Sequence, residues 1–268
     1  MGCFLNKYKV DLMPKHSGVF GQIYIGFDMT LKREVAIKRL SNIESAKEEA
    51  RVMAAYGANE FLPHVYDFFT FGIDGYIVME LIQGQRLGDH LKGKIREKGK
   101  AIRITMNILQ GLSHLHKKGY LHTDIQPKNI LINKDRSYTV KIVDFGSTVK
   151  KGSDGLWRGK PKGGTWEYMP PEQFESDVSL DDSSDVYAAA GICAYLLSGR
   201  APYLPDFENT GYNEEKYRNE CYRLNSKILA CDMPDESLKE ILVKATHPDR
   251  ENRYGSAKDL IKALRHFS

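Results

Sequence analysis

The stretch from Tyr120 to Gly146 reads YLHTDIQPKNILINKDRSYTVKIVDFG. Two apolar, β-rich runs, Ile130–Ile132 and Val140–Val143, flank a turn rich in Asn, Asp and Ser. This alternation predicts a loop that leads into a short β-hairpin. The polar residues next to each run are therefore expected at the ends of strands.

Three oxygen-bearing side chains, Asp124, Asn129 and Asp144, lie in this stretch. Oxygen ligands held at strand ends suit a hard cation with phosphate, and a carboxylate there can also accept a proton. The alternative is that all three are turn formers, since Asp and Asn commonly bond their own backbone in turns. The stretch alone leaves both interpretations open.

The composition is that of a globular protein: 268 residues, 41% hydrophobic and 28% charged. The net charge of +4 is too small an excess to indicate nucleic-acid binding. The sequence shows neither an apolar run of about 20 residues nor the pattern of a signal peptide, so no membrane partner is expected. The four cysteines lack Cys-x-x-Cys spacing, which indicates thiols in a reducing, cytoplasmic setting. The sequence does not indicate an oligomeric state.

A glycine turn with Gly18 and Gly21 lies within residues 8–25, which are predicted to form two strands. Glycines let the backbone approach a ligand closely, and free amides in such a turn can hold phosphate. The turn lacks the first glycine of a G-x-G-x-x-G pattern, because His16 stands there. A plain hairpin turn is therefore the alternative interpretation.

A short strand is predicted over Glu34–Arg39, with Ala36 and Lys38 on one face. A lysine that shares a face with a small residue, after a glycine turn, is placed to reach a phosphate. The alternative is a solvated lysine. Residues 45–57 have helical spacing, and Glu49 there can point the same way as the apolar face.

The chain changes from β-rich to helix-rich at about residues 81–84. Beyond that boundary, periodicity predicts helices over residues 101–118, 184–198, 212–229, 238–245 and 257–266. Asp185 is expected to cap the amides at the start of its helix. Residues 147–165 are predicted to form a surface segment. The segment is either solvated or a docking strip for an acidic peptide or phosphate, because it is rich in basic residues. These are Lys150, Lys151, Arg158, Lys160 and Lys162.

In this order and at these spacings, the motifs resemble those of the eukaryotic-type (Hanks-type) serine/threonine protein kinase family, including its prokaryotic members. They are V-A-I-K at 35–38, H-T-D at 122–124, Asn129, and D-F-G at 144–146. The resemblance implies a single α+β domain with the bilobal protein kinase fold. Its N-lobe, residues 1–82, would be a small antiparallel β-sheet with one helix, and its C-lobe, residues 83–268, would be larger and mainly helical.

The resemblance also implies a reaction, the transfer of the γ-phosphate of ATP, with Mg²⁺, to serine or threonine hydroxyls of protein substrates. Asp124 would be the catalytic base, Asn129 and Asp144 would hold Mg²⁺, and Lys38, paired with Glu49, would contact the ATP phosphates. Further ATP contacts are implied for His16, Ser17, Gly18, Gly21, Ile23, Ala36, Met79, Glu80, Ile82 and Leu131. In the C-lobe, Asp185 would tie down the loop around Asp124, and Arg253 would pair with Glu172.

Three positions depart from the family pattern. His16 replaces a loop glycine. Thr123 replaces the arginine that binds a phosphate on the activation segment, so we expect activity without phosphorylation of that segment, at Thr148 for example. Gln126 replaces the lysine that steadies the γ-phosphate, and Lys128 is a candidate substitute for it.

These departures keep two other functions open. A pseudokinase that binds nucleotide and acts as a scaffold would explain Gln126 and Thr123. A small-molecule kinase would also lack a lysine at the position of Gln126, although the presence of Glu172, Asp185 and Arg253 argues against it. Thr165, before the Y-M-P-P-E run, resembles a threonine of serine/threonine-specific members.

Overall fold

Antiparallel strands and one helix make up the first part of the chain in the computed structural model. The structure describes residues 2–4, 7–11, 13–18, 21–90, 97–133, 139–159, 167–174, 178–199 and 235–267. The chain divides into two compact units, Met1–Gln83 with Val143–Gly146, and Gly84–Ile142 with Ser147–Ser268. The D-F-G run at 144–146 thus belongs to the first unit, although it lies beyond residue 82 in the chain.

Seven strands form the antiparallel sheet of the first unit, in the order β1-β2-β4-β5-β7-β6, with β3 also paired to β4. Their bounds are Gly2–Phe4 (β1), Tyr8–Val10 (β2), His16–Gly18 (β3), Gly21–Asp28 (β4), Arg33–Leu40 (β5), Val65–Phe71 (β6) and Asp74–Glu80 (β7). The strand expected before the glycine turn is interrupted between Val10 and His16. Pro14 lies in this interval and has no N–H to donate to a ladder.

The sheet of the first unit is curled. β2 and β6 lie four places apart in the strand order, yet the Tyr8 ring stacks on Phe69 at 6.0 Å between centroids. Phe69 stacks in turn on Tyr76 at 5.0 Å. The Tyr8 hydroxyl and Lys7 Nζ also donate to Asp67 Oδ2, at 2.8 and 2.7 Å. These contacts close the sheet over a core that includes Val35 and Ile37.

Replacing Asp67 with Asn is expected to destabilise the protein by about 1 kcal/mol at pH 7, because Lys7 loses the partly exposed carboxylate with which it pairs. Burial acts to raise the pKa of Asp67, but the hydrogen bonds from Lys7 and Tyr8 outweigh it and hold that pKa below its ordinary value of 3.8. The stabilisation is therefore present above pH 4 and is lost as the pH falls through the lowered pKa. Urea unfolding of both proteins at pH 7 and pH 2.5 measures this, and a difference that stays the same at both pH values would contradict it.

One helix, α1 (Ile43–Tyr56), packs against this sheet. The side chain of Asn42 caps it by accepting the amide of Ser45, and Gly57, with a φ of 69°, ends it. Glu49 is buried on the same face as Ala46, Ala50 and Met53. The helix predicted over 45–57 is confirmed, and its one buried acid is Glu49.

Helices dominate the second unit. Their bounds are Leu87–His90 (α2), Lys98–Lys117 (α3), Asp182–Ser198 (α4), Glu236–Ala245 (α5) and Ala257–Leu264 (α6). α3 packs against α4 and α6, and α4 is buried almost all round. Asp181, and not Asp185 as expected, caps α4 by accepting the amide of Ser183, which leaves Asp185 available for other partners.

Short strands complete the second unit. β8 (Gln85–Arg86), β10 (Ile130–Asn133) and β11 (Thr139–Ile142) form one small sheet, in which Ile130 faces Ile142 as in the predicted hairpin. β9 (Tyr120–Leu121) pairs with β12 (Val149–Lys150), and β13 (Trp157–Gly159) pairs with β14 (Val178–Leu180).

The predicted α+β architecture is confirmed, with a small curled sheet and one helix in one unit and mainly helices in the other. The helix predicted over 212–229 lies outside the described residues. None of the helices within the described ranges is long and apolar enough to cross a membrane.

Candidate active site

Lys38, Glu49 and Asp144 meet in the first unit. β5 carries Lys38 on the face opposite Val35 and Ile37, which is the alternation that the sequence predicts. Lys38 Nζ donates to both carboxylate oxygens of Glu49, at 2.7 and 2.8 Å, and to Asp144 Oδ1 at 2.9 Å. The solvated-lysine interpretation is therefore wrong, since the Lys38 side chain is only 6% exposed.

The charges of this cluster do not cancel, because two carboxylates share one ammonium group. Burial acts to lower the pKa of Lys38, but the charges of Glu49 and Asp144 raise it, so Lys38 stays protonated. Burial, and then the charge of Asp144, raise the pKa of the Glu49 carboxyl. A further cation beside Asp144, whose side chain is 29% exposed, would relieve this excess negative charge. The donor chemistry thus fits Mg²⁺, which favours carboxylate oxygens.

The backbone around Asp144 is held by α1. Phe145 is buried and donates its N–H to Glu49 Oε1 at 3.3 Å, and its ring packs against Tyr56 at a tilt of 46°, with centroids 5.1 Å apart. Asp144 itself has a φ of 69°, a conformation that non-glycine residues seldom adopt. Strained backbone of this kind concentrates at functional sites, where surrounding contacts keep it in place.

Asp124 lies in the second unit with two amide side chains around its carboxylate. Gln126 Nε2 donates to both of its oxygens, at 3.0 and 2.9 Å. Asn129 Nδ2 donates to Asp124 Oδ2 and to its backbone carbonyl, both at 2.9 Å. Gln126 precedes the 3-10 turn Pro127–Asn129 and Asn129 ends it, and both amides bond the same carboxylate oxygen, Oδ2. The carbonyl oxygen of the Asn129 amide remains as the atom that could coordinate a cation.

Asp185 holds the backbone that leads to Asp124. Its carboxylate accepts the N–H groups of His122 and Thr123, each at 2.9 Å, and lies 2.8 Å from His116 Nε2. Burial alone would raise the pKa of Asp185, but the hydrogen bond and charge of His116 hold it below its ordinary value. The carboxylate form is therefore the one that binds this loop.

Thr123 makes two further contacts that the sequence did not predict. Its hydroxyl donates to the carbonyl of Ser147 at 2.7 Å, and its own carbonyl accepts Gln173 Nε2 at 2.8 Å. Its φ of 64° makes it, with Asp144, one of three non-glycine residues with positive φ among those described. Gln173 carries no signal in the sequence beyond its position after Glu172.

Glu172 and Arg253 form a bidentate ion pair at 2.7 and 2.8 Å. Arg253 also donates to the carbonyls of His247 and Pro248, and its guanidinium lies 4.8 Å from the centre of the Tyr187 ring. Its side chain has no exposed surface, so every hydrogen-bonding group must be satisfied inside the protein.

The glycine turn has a structural requirement of its own. Gly18 faces Gly21 where β3 and β4 pair, and His16 faces Ile23. Gly21 has a φ of 127°, and a Cβ there would lie 2.5 Å from the carbonyl oxygen of Arg39. A close approach of backbone to backbone therefore requires this glycine, whether or not a phosphate binds. The tip of the turn, residues 19 and 20, lies outside the described residues.

The remaining predicted residues are distributed over both units. In the first, Ala36 is buried on β5, Met79 and Glu80 end β7, and the N–H of Glu80 donates to the carbonyl of His64 at 2.8 Å. Ile82 follows β7 and is partly buried. In the second, Leu131 is half-buried on β10, and Lys128 is exposed on the 3-10 turn. Gln126, and not Lys128, is the residue whose side chain reaches Asp124.

The basic segment is only partly described. Lys151 is paired with Asp182, and Arg158 with Asp154 at 2.6 Å. Lys160, Lys162 and Thr165 lie outside the described residues. Thr148 is buried, at 5% exposure. The docking-strip interpretation therefore stays a prediction, and Thr148 is not accessible as a phosphorylation site in this conformation.

Comparison with known proteins identifies relatives of this chain. The family model for the protein kinase domain matches residues 16–266. The serine/threonine-protein kinase pkn2 of Myxococcus xanthus is 32% identical over 204 residues, which are 72% of this chain and 24% of that protein. A probable serine/threonine-protein kinase of Clostridium acetobutylicum is 28% identical over 97% of this chain and 39% of its own length. The serine/threonine-protein kinase PrkC of Bacillus subtilis is 29% identical over 91% of this chain and 38% of its own length.

The chain thus spans about a quarter to two fifths of the length of these curated relatives. The matched region includes the lysine, both predicted acids of the Tyr120–Gly146 stretch and the Glu172–Arg253 pair. The chain belongs to the protein kinase family, among whose bacterial members its similar relatives are found.

Proposed function

We propose that this chain transfers the γ-phosphate of ATP, with Mg²⁺, to serine or threonine hydroxyls of protein substrates. The observation that carries the proposal is the simultaneous contact of Lys38 with Glu49 and Asp144. In protein kinases the lysine–glutamate pair and the D-F-G aspartate must both be in place for transfer. The names of the bacterial relatives support the serine/threonine class.

Lys38 would bind the α- and β-phosphates, because Glu49 holds its ammonium group in place on β5. The Glu80 N–H already donates to the carbonyl of His64. The backbone carbonyl of Glu80 is therefore the group that we propose accepts a hydrogen bond from adenine. Ala36 and Met79, neighbours across β5 and β7, would line the adenine pocket with Ile82. His16, Ser17, Gly18, Gly21, Ile23 and Leu131 are proposed as further ATP contacts.

Asp144 and Asn129 would hold Mg²⁺ through a carboxylate and an amide oxygen. When bound, the ion supplies charge neutralisation for the transferred phosphoryl group. Asp124 would accept the proton of the substrate hydroxyl. Its oxygens are oriented by Gln126 and Asn129, neutral donors that position the carboxylate without adding a positive charge beside it. Lys128 is exposed and would reach a phosphate only from the surface of the turn.

The proposal is tested by radiolabel transfer from Mg-ATP to casein, to myelin basic protein and to the chain itself. Asp144→Asn should lower the rate on the order of 100-fold, the usual loss when one charge-stabilising group is removed. Asp67→Asn is a matched control, because Asp67 is also bonded to a lysine in the first unit, and it should retain the wild-type rate. ATP binding without any transfer by the wild type would instead indicate a nucleotide-binding scaffold. Transfer to small molecules but not to proteins would indicate a small-molecule kinase.

Activity should not require phosphorylation of the segment after D-F-G, because Thr123 contacts Ser147 directly and carries no positive charge for a phosphate. Wild-type protein treated with a phosphatase, which is then removed, should keep its rate within about twofold of the untreated protein. Mass spectrometry of both samples verifies the phosphorylation state. A rate that falls with loss of phosphate and returns with it would refute this prediction.

A further inference from the structure

Thr123 is fixed on three sides by residues from three parts of the second unit. Its N–H donates to Asp185 Oδ1 at 2.9 Å, its hydroxyl to the carbonyl of Ser147 at 2.7 Å, and its carbonyl accepts Gln173 Nε2 at 2.8 Å. Thr123, Gln173 and Ser147 are all buried, at 7%, 4% and 7% exposure. Hydrogen bonds are stronger in such surroundings, and an unpaired partner there is costly.

The conformation of Thr123 needs these contacts. A β-branched residue with a φ of 64° is a genuine outlier, and it persists only where its surroundings over-determine it. The next residue in the chain is Asp124. Any relaxation of the Thr123 peptide would therefore move the carboxylate to which the proposed function assigns the proton.

The two residues that bond the Thr123 hydroxyl and carbonyl bracket one segment of the chain. Ser147 follows D-F-G directly, and Gln173 follows P-P-E directly. Between them, β12 pairs with β9, β13 pairs with β14, and Trp157 packs on Leu121, Val149 and Leu180. Both ends of the segment 147–173 therefore meet at the residue before Asp124.

We propose that Gln173 and the Thr123 hydroxyl are positioning residues, which clamp both ends of the segment 147–173 to the peptide that carries Asp124. This inference rests on the proposed kinase activity and adds to it the means by which the segment is held. The clamp consists of uncharged hydrogen bonds, so it is complete in the unphosphorylated chain. It should act on the chemical step, because neither residue belongs to the proposed ATP-binding set in the first unit.

Two nearly isosteric variants test the clamp. Thr123→Val keeps the β-branched shape and removes the hydroxyl, and Gln173→Met keeps the length and removes the donor. Each should lower kcat on the order of tenfold, since small misplacement of a reacting group is costly, and should leave KM for ATP within about twofold. The double variant should lose less than the product of the two single losses, because both changes release the same peptide.

Thr246→Val is the matched control. Thr246 is also buried, and its hydroxyl donates to the carbonyl of Leu242 at 2.8 Å within the same unit. It should keep the wild-type kcat. Melting temperatures of all four variants identify any that fail to fold, and kcat is compared at a temperature where each is folded.

Unchanged kcat in Thr123→Val or Gln173→Met would overturn the inference, as would a loss confined to KM or an equal loss in Thr246→Val. These outcomes all require an active wild type. An inactive wild type would overturn the proposed function itself, so failure of the clamp and failure of the kinase assignment are distinguishable.

Discussion

Replacing Asp124 with Asn is expected to lower kcat for phosphate transfer by roughly 1,000-fold, within the range for loss of a positioned proton acceptor. The change removes the charge and basicity of the group but preserves its shape. It also brings a third amide to a place where Gln126 and Asn129 already direct their N–H groups. The side chain at 124 can still accept one of these bonds through its remaining oxygen, so the loop should keep its conformation.

ATP affinity should hardly change in Asp124→Asn, because Lys38, Glu49 and Asp144 form their cluster entirely within the other unit. Steady-state transfer together with nucleotide titration measures both quantities. Asp259→Asn, a change to an exposed acid on α6, should retain the wild-type rate. If Asp124→Asn transfers phosphate as fast as the wild type, Asp124 is not the proton acceptor.

Replacing Arg253 with Met should destabilise the protein by about 3–5 kcal/mol, the cost of breaking a buried ion pair by removal of one partner. Glu172 would lose both of its bonds to the guanidinium, and the carbonyls of His247 and Pro248 would lose their donors. The contact with the Tyr187 ring would also be lost. So large a loss approaches the whole stability of many domains, so Arg253→Met is expected to unfold in part near 37 °C.

Arg158→Met is the matched control for this loss. Arg158 pairs with Asp154 at 2.6 Å, but its side chain is 60% exposed, and exposed pairs contribute at most about 1 kcal/mol. Thermal and urea unfolding, followed by circular dichroism, compare the two variants with the wild type. Similar small losses of stability in both variants would contradict the prediction, because burial would then not make the Glu172–Arg253 pair more stabilising than an exposed pair.

Patterns along the chain were sufficient for much of the fold. The alternation on β5 correctly placed Lys38 and Val35 on opposite faces of the strand. Helical spacing correctly located α1 and its buried Glu49. They failed for Asp185, which was expected to cap α4. Asp181 provides that cap, because the helix begins at Asp182, two residues earlier than its apolar pattern indicates.

The sequence by itself determined the family, the order of the motifs and the residue types available for chemistry. These depend on identity and local spacing. Only the tertiary structure decided how the Tyr120–Gly146 stretch is held. Ser147 and Gln173 lie 24 and 50 residues from Thr123, and Asp185 lies 62 residues from it. Hydrogen bonds over such separations follow from the packing of whole elements, which no local pattern encodes.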